Sequence, residues 1–461
     1  MVSLPGAQHR IAAIVADLKA GRNCVVVLPD VLVDSEVADD IVYEIAARVD
    51  TLRVPLPDVD ETDEPPRRPR ATVPSRSTGP RPSWAVNRFG ALGSGSVVTA
   101  TATTGQYRRA TATLAERMAT LLKNPPAGSD PLADVVAAEE LRGKVLTVRA
   151  WEERDPEAVG ALAVRFAAMT KDSRVPPEER VRLLIITRDR NIPEAALERL
   201  DPVTSGVRWW WGVLGRLDTT VVVATAEAAA GRGEPVGLRS TLVADYLFRD
   251  LVTEVAGPDL ALATYLTYFW DRTMSALPGL VAEYASSDRS DIPVPATPRH
   301  GRPTRPPVAL RDAWNQGLAD LWDGEIRVSP PAEDPSAVIE RLDQHLWRGQ
   351  NRALTPVIDQ LRAAMEDRVR STVGAAGVDA LLAGDGESDR PAAYRVTRPV
   401  LEVGRMAAAV KAGELRVTEG ERKLIYCLRD VRNSLAHLVV LDDSTLSRLA
   451  QAIANSPGRG R

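Results

Sequence analysis

Cysteine is scarce in this 461-residue chain, and the shortage removes a class of function. The two cysteines, Cys24 and Cys427, stand in an apolar run and in a helical pattern near the C-terminus. That placement suits small buried hydrophobes and offers neither a disulfide framework nor a zinc site. Charge of one sign is also lacking. Lys and Arg number 58 against 62 Asp and Glu, for a formal net charge of -4. A global basic field is thereby excluded, and any nucleic-acid contact has to come from a local patch. No apolar run approaches membrane-spanning length, and the opening MVSLPGAQHR has neither the basic start nor the apolar core of a signal peptide. The expectation is a cytoplasmic protein with no membrane contact. What remains is ordinary globular material: 44% apolar residues, in a length that allows roughly two to four domains with real cores.

The first fifty-odd residues read as the opening of an α/β domain. An amphipathic helix over 7–19 leads through Gly21, Arg22 and Asn23 into the buried strand CVVVLPD at 24–30. A helix over 36–48, capped by Asp34, and a second strand at 52–57 follow. A nucleotide-binding protein would keep its phosphate loop after that first strand. Such a loop needs glycines to let backbone N–H groups converge, a lysine for the phosphates and a Ser or Thr for magnesium. The turn here runs from Leu28 through Pro29 and Asp30 to Asp34, without glycine or lysine and with two carboxylates that repel phosphate. The later strand from Lys144 to Arg149 also lacks the terminal acid that would hold magnesium. No cofactor-binding pattern is therefore expected.

Residues 58–83 are rich in proline and charge, acidic first and basic after, and read as a flexible insertion. The alternative is a basic arm for nucleic acid built on Arg67, Arg68, Arg70, Arg76 and Arg81. An alternating strand from Ser96 and a helix ending near Lys123 come next. From 140 to 224 short apolar runs alternate with helical patterns. Strands are expected at 145–151, 181–189 and 218–224, with helices at 156–169 and 193–200, as in a mainly parallel sheet. Arg188 and Asp189 end a core strand at the edge where such proteins place ligands, or they form a salt-bridged strand end. Trp209, Trp210 and Trp211 are consecutive, and three neighbours cannot all face one core in a helix or a strand. At least one is expected to meet another domain, a partner or a base.

After 236 the pattern turns helical, with Asp250, Asp271 and Arg272 at no metal-ligand spacing. A second proline-rich stretch at 291–307 is followed by helices at 309–322 and 335–371, the latter expected to bend or break near 349–355 at Gly349 and Pro356. Residues 372–393 read as a loop, and the last helices run over 397–412, 418–438 and 444–455. The implied organisation is an α/β domain over 1–235, a helical region over 236–290, a linker over 291–308 and an all-α domain over 309–461.

The helix from Glu421 to Leu438 carries the candidate chemistry. Leu424, Leu428, Val431, Leu435 and Leu438 form one apolar stripe. At about 100° per residue, Asn433 and His437 fall nearly opposite it, with Arg432 on the flank and Tyr426 and Asp430 alongside. These polar residues are either a solvated helix face or a site. The run Arg432-Asn433-Ser434-Leu435-Ala436-His437 resembles the signature of the HEPN superfamily, an Arg and a following polar residue with a His a few positions later on a long helix. Many members of that superfamily look like metal-independent ribonucleases that work as dimers, and others bind RNA or nucleotides without cleaving. The resemblance implies RNA as a ligand, a homodimer, and Arg432, Asn433 and His437 as catalytic residues, with no metal or cofactor. The architecture resembles bacterial conflict proteins that join a P-loop NTPase-like domain with a dead nucleotide site to a helical effector, which implies partner proteins encoded nearby. The other class of function left open is a non-catalytic scaffold that dimerises through its helices.

Overall fold

The computed structural model describes residues 1–57, 112–124, 130–231, 242–287, 303–332, 335–383 and 400–455. The proline-rich stretch at 58–83, the strand expected from Ser96 and most of the stretch at 291–307 lie outside the described residues. The chain divides into two compact units. One comprises Met1–Gly215 and Ile292–Arg327, the other Arg216–Asp291 and Val328–Arg461.

The first unit is α/β. Helix α1 (Pro5–Lys19) precedes strand β1 (Asn23–Leu28), and α2 (Asp30–Asp34), α3 (Val37–Ala46) and β2 (Thr51–Arg53) follow. Then come α4 (Leu114–Ala119), α5 (Pro131–Ala137), β3 (Val145–Arg149), α6 (Pro156–Asp172), β4 (Arg182–Arg188), α7 (Glu194–Glu198) and β5 (Ser205–Trp209). The five strands form one sheet in the order β2-β3-β4-β1-β5, and every pairing is parallel. All six residues of β1 are buried, which is why the strand is a continuous Val and Leu run and not an alternating one. Its first residue, Asn23, sets the register by accepting from Leu183 N–H at 2.9 Å and donating to Thr170 Oγ1 at 3.3 Å. The expected α/β fold with a parallel sheet is what the structure shows.

The second unit is all-helical. It contains α8 (Arg216–Ala229), α9 (Leu242–Ala256), α10 (Leu260–Phe269) and α11 (Leu277–Ser287). Between these and its remaining helices the chain returns to the first unit as α12 (Arg311–Asn315) and a two-stranded sheet of β6 (Ala319–Trp322) and β7 (Glu325–Val328). The helical unit resumes with α13 (Pro335–Ala383), α14 (Val403–Ala412), α15 (Glu419–Ala436) and α16 (Asp443–Ala454).

Several expectations are corrected. The run at 218–224 is helical, inside α8, because its buried residues Asp218, Thr219, Val223, Ala226 and Glu227 recur with helical period and local β-propensity yields to that packing. The stretch 309–322 is a short helix and a β-strand; Asp323 and Gly324, both at positive φ, turn it into a hairpin. Helix α13 continues past Gly349 and Pro356, and a second helical stretch joins it across a kink at Gly374, inside the expected loop at 372–393. Its one non-helical residue is Gly374, at φ 75° and ψ 175°. Gly349 serves contact and not breakage, because a Cβ there would lie 2.9 Å from Leu251 Cδ2 and 3.3 Å from Asp250 O on α9.

The tryptophans also depart from expectation, since all three are buried within one unit. They manage this by leaving regular structure: Trp209 ends β5, Trp210 N–H donates to Val27 O, and the chain turns at Gly212 with φ 64°. The returning segment covers them. Trp314 lies 5.6 Å from Trp209 and donates through Nε1 to Trp210 O, and Asp320 accepts from Gly212 N–H at 2.9 Å.

Candidate functional site

The carboxyl edge of the parallel sheet is the first place where an α/β fold would hold a ligand. The chain leaves β1 toward β2 and leaves β4 toward β5, in opposite directions along the sheet, so the ends of β1 and β4 flank the switch point. Internal ion pairs fill it. Arg188 at the end of β4 pairs with Asp34 at 2.7 Å and with Asp30 at 3.4 Å, and Arg190 also binds Asp30. Arg311 from the returning segment holds Glu194 in a two-pronged contact at 2.7 and 2.8 Å and faces Asp189 at 3.7 Å. Its hydrogen bonds hold the Glu194 carboxyl below the usual carboxylate range, whereas burial pushes Asp189 up against the pull of Arg311. Arg188 and Asp189 are thus a salt-bridged strand end. At the end of β3, Arg149 pairs with Asp39 at 2.7 Å.

The other place is the C-terminal end of α15. The helix starts with a capping box, in which Thr418 Oγ1 accepts from Glu421 N–H and the Glu421 carboxylate accepts from Thr418 N–H. Its buried residues include Leu424, Ile425, Leu428, Val431 and Leu435. The stripe therefore gains Ile425 and loses Leu438, which is 66% exposed. The helix ends at Ala436, and His437 is its C-cap residue, one position past the last helical turn rather than inside the helix.

The turn that follows has a definite geometry. Val439 N–H donates to Ser434 O at 2.9 Å and Leu438 N–H to Leu435 O at 3.2 Å, the two bonds of a Schellman cap. The left-handed residue of that cap is usually glycine; here it is Leu438, at φ 61°. The base of the turn is tied to α13. Trp347 Nε1 donates to Leu435 O at 2.7 Å, and the buried Gln350 side chain both donates to Leu441 O and accepts from Leu441 N–H, each at 2.8 Å. Asp443 anchors the far side by accepting from Met274 N–H at 2.7 Å and Ser275 N–H at 3.2 Å.

On this mount Arg432, Asn433 and His437 are all exposed. Arg432 Nη2 lies 3.2 Å from Glu402 Oε2, in a pair whose side chains are 50% and 52% exposed. Arg429 pairs with Asp430 at 2.6 Å and lies over the Tyr426 ring, 5.1 Å from its centroid. The turn itself carries two exposed apolar residues, Leu438 and Val439. Three participants escaped the sequence reading. Gln350 had a signal, a polar residue on the apolar face of Leu346, Ala353 and Leu354. Trp347 and Glu402 had none, because their partners lie 88 and 30 residues away, and only the folded chain brings them to α15.

Among the described residues no group of three or more His, Cys, Asp or Glu side chains is arranged to hold a metal ion, and no helix is long and apolar enough to cross a membrane. No family model matches the chain, and no curated protein or solved structure matches it either.

Proposed function

We propose that the helical unit is a metal-independent endoribonuclease or RNA-binding module, working as a homodimer within a bacterial anti-phage system. The α/β unit is read with it as an NTPase-like domain whose nucleotide site is inactive. One observation carries the reading: Arg432, Asn433 and His437 stand exposed together at the end of a helix whose opposite face is core. In cleavage His437 takes the 2′-OH proton, the 2′ oxygen attacks the adjacent phosphorus, and the 5′ oxygen leaves with a proton from an acid. Arg432 balances the charge that builds on the phosphorane, and Asn433 orients either group. On helical geometry extended to the C-cap, Arg432 and His437 diverge by about 140°, so one copy encloses a phosphate poorly. A two-fold axis would supply the second pair and the second His as acid. The exposed Leu438 and Val439 beside His437 support such a pairing. They equally favour the second reading, a scaffold that dimerises through the same end without cleaving.

The inactive nucleotide site is supported by the ion pairs of Asp30 and Asp34 with Arg188 and Arg190, which occupy the place of a phosphate loop. The test uses purified protein and single-stranded RNA in EDTA. Cleavage is expected from the wild type and absent from Arg432→Ala and His437→Ala, with melting temperatures unchanged, because exposed substitutions usually alter stability by under about 0.5 kcal/mol. Adding ATP and magnesium should alter neither cleavage nor melting. Cleavage that survives His437→Ala removes the site assignment; a dimer that never cleaves or binds RNA leaves the scaffold.

A further inference from the structure

Glu402 stands at a helix start, where its main-chain carbonyl accepts from Met406 N–H at 3.0 Å. It is the N-cap residue of α14, a place favouring Ser, Thr, Asp or Asn, and its side chain makes no capping hydrogen bond. Its carboxylate reaches instead to the guanidinium of Arg432 on α15, 3.2 Å away. We propose that Glu402 is a clamp on the candidate site, holding the Arg432 guanidinium until a phosphodiester of single-stranded RNA displaces the carboxylate. The inference rests on the RNA reading of Arg432 and adds a regulating residue to it.

The argument is one of competition for a single cation. A guanidinium offers a planar fork that fits a carboxylate or a phosphate, so the two anions exclude each other on the same prongs. Glu402 also leaves a negative charge beside the place where the phosphate must sit. Both side chains are about half exposed, so water screens the pair and the hold is weak. A weak hold is what a displaceable clamp requires. It limits the penalty on ligand affinity to roughly two- to fivefold, against the much larger loss expected where a buried pair has to be broken. The neighbouring cation is no substitute, since Arg429 is engaged by Asp430 and lies over Tyr426.

The test measures Arg432 with and without RNA. In the intact protein, phenylglyoxal modification followed by peptide mass spectrometry should show Arg432 reacting faster in Glu402→Gln than in the wild type, with Arg416, an exposed residue between α14 and α15, unchanged. Binding of a fluorescein-labelled oligouridylate in EDTA, read by anisotropy, should tighten by roughly two- to fivefold in Glu402→Gln. Glu402→Asp, which keeps the charge on a shorter arm, should fall between the two. In an Arg432→Ala background the Glu402→Gln gain should vanish, which separates a clamp on that guanidinium from a general change of surface charge. Unchanged Arg432 reactivity, or a gain that persists without Arg432, overturns the clamp even if RNA binds. Faster modification with no RNA bound by any variant overturns RNA as the displacing ligand, and with it the reading on which the inference rests.

Discussion

At the scale of single residues, the most informative group is one that sequence inspection had no reason to select. Asp320 follows the first residue of β6 and uses one carboxylate oxygen to accept from Gly212 N–H at 2.9 Å and from Leu321 N–H at 2.8 Å. Burial pushes its carboxyl up to about 7, against those two hydrogen bonds and the charge of Arg10, which all favour the ionised form. The unfolded chain returns it to an ordinary value of 3.8. The native state therefore holds a proton that the unfolded state has released between those two values, and stability from this group falls as pH rises through the window. Above about 7 both states are ionised and the penalty is constant. Asp320→Asn keeps an acceptor for the two N–H groups and removes the titration. Its melting temperature, relative to wild type, should climb from pH 5 to pH 8 and then level off. A difference that stays flat across that range would mean that Asp320 is ionised in the fold at all these pH values.

At the scale of elements, legibility followed the source of the information. The parallel strands were readable because a strand buried on both faces has to be a run of Val, Leu and Ile, as β1 and β4 are. Helix α15 was readable because its capping box and apolar stripe are local. Elements decided by distant neighbours were misread. The β-branched run in α8 looks like a strand until its packing face is known, and the Asp323-Gly324 turn is a local hairpin signal that follows directly on Trp322. Gly349 and Pro356 looked like breakers of α13, yet the helix continues through both. At Gly349 the physical reason yields a prediction. Alanine there gains about 1 kcal/mol of helix propensity, but its Cβ would stand 3.1 Å from Leu251 Cα and 3.3 Å from Asp250 O, backbone atoms that cannot swing aside. Overpacking of this kind costs about 1–3 kcal/mol. Gly349→Ala should thus lower the denaturant midpoint, and a midpoint raised by the propensity gain alone would show that α9 and α13 separate without penalty.

At the scale of the whole molecule, the chain does not divide in sequence order. The α/β unit draws its last part from beyond Ile292, so a boundary placed near residue 235 by the change from strand to helix pattern leaves that unit incomplete. Composition could not reveal this, because α12, β6 and β7 are short and their partners lie about a hundred residues back; the Trp314 bond to Trp210, for example, spans 104 positions. The returning segment brings Trp314 onto Trp209, Arg311 onto Glu194 and Asp320 onto Gly212. A large apolar side chain contributes about 1.5–3 kcal/mol when fully buried. If the segment supplies half the cover of Trp209, Trp210 and Trp211, its loss removes several kcal/mol from a net stability of about 5–15 kcal/mol. Residues 1–215 alone should therefore show red-shifted tryptophan emission, dye binding and a strong tendency to aggregate. Joining the same residues through a flexible linker to 303–328 should restore a blue-shifted emission and a cooperative melt. If 1–215 alone melts as cooperatively as the linked form, the three tryptophans are buried without the segment, and the α/β unit is a continuous domain after all.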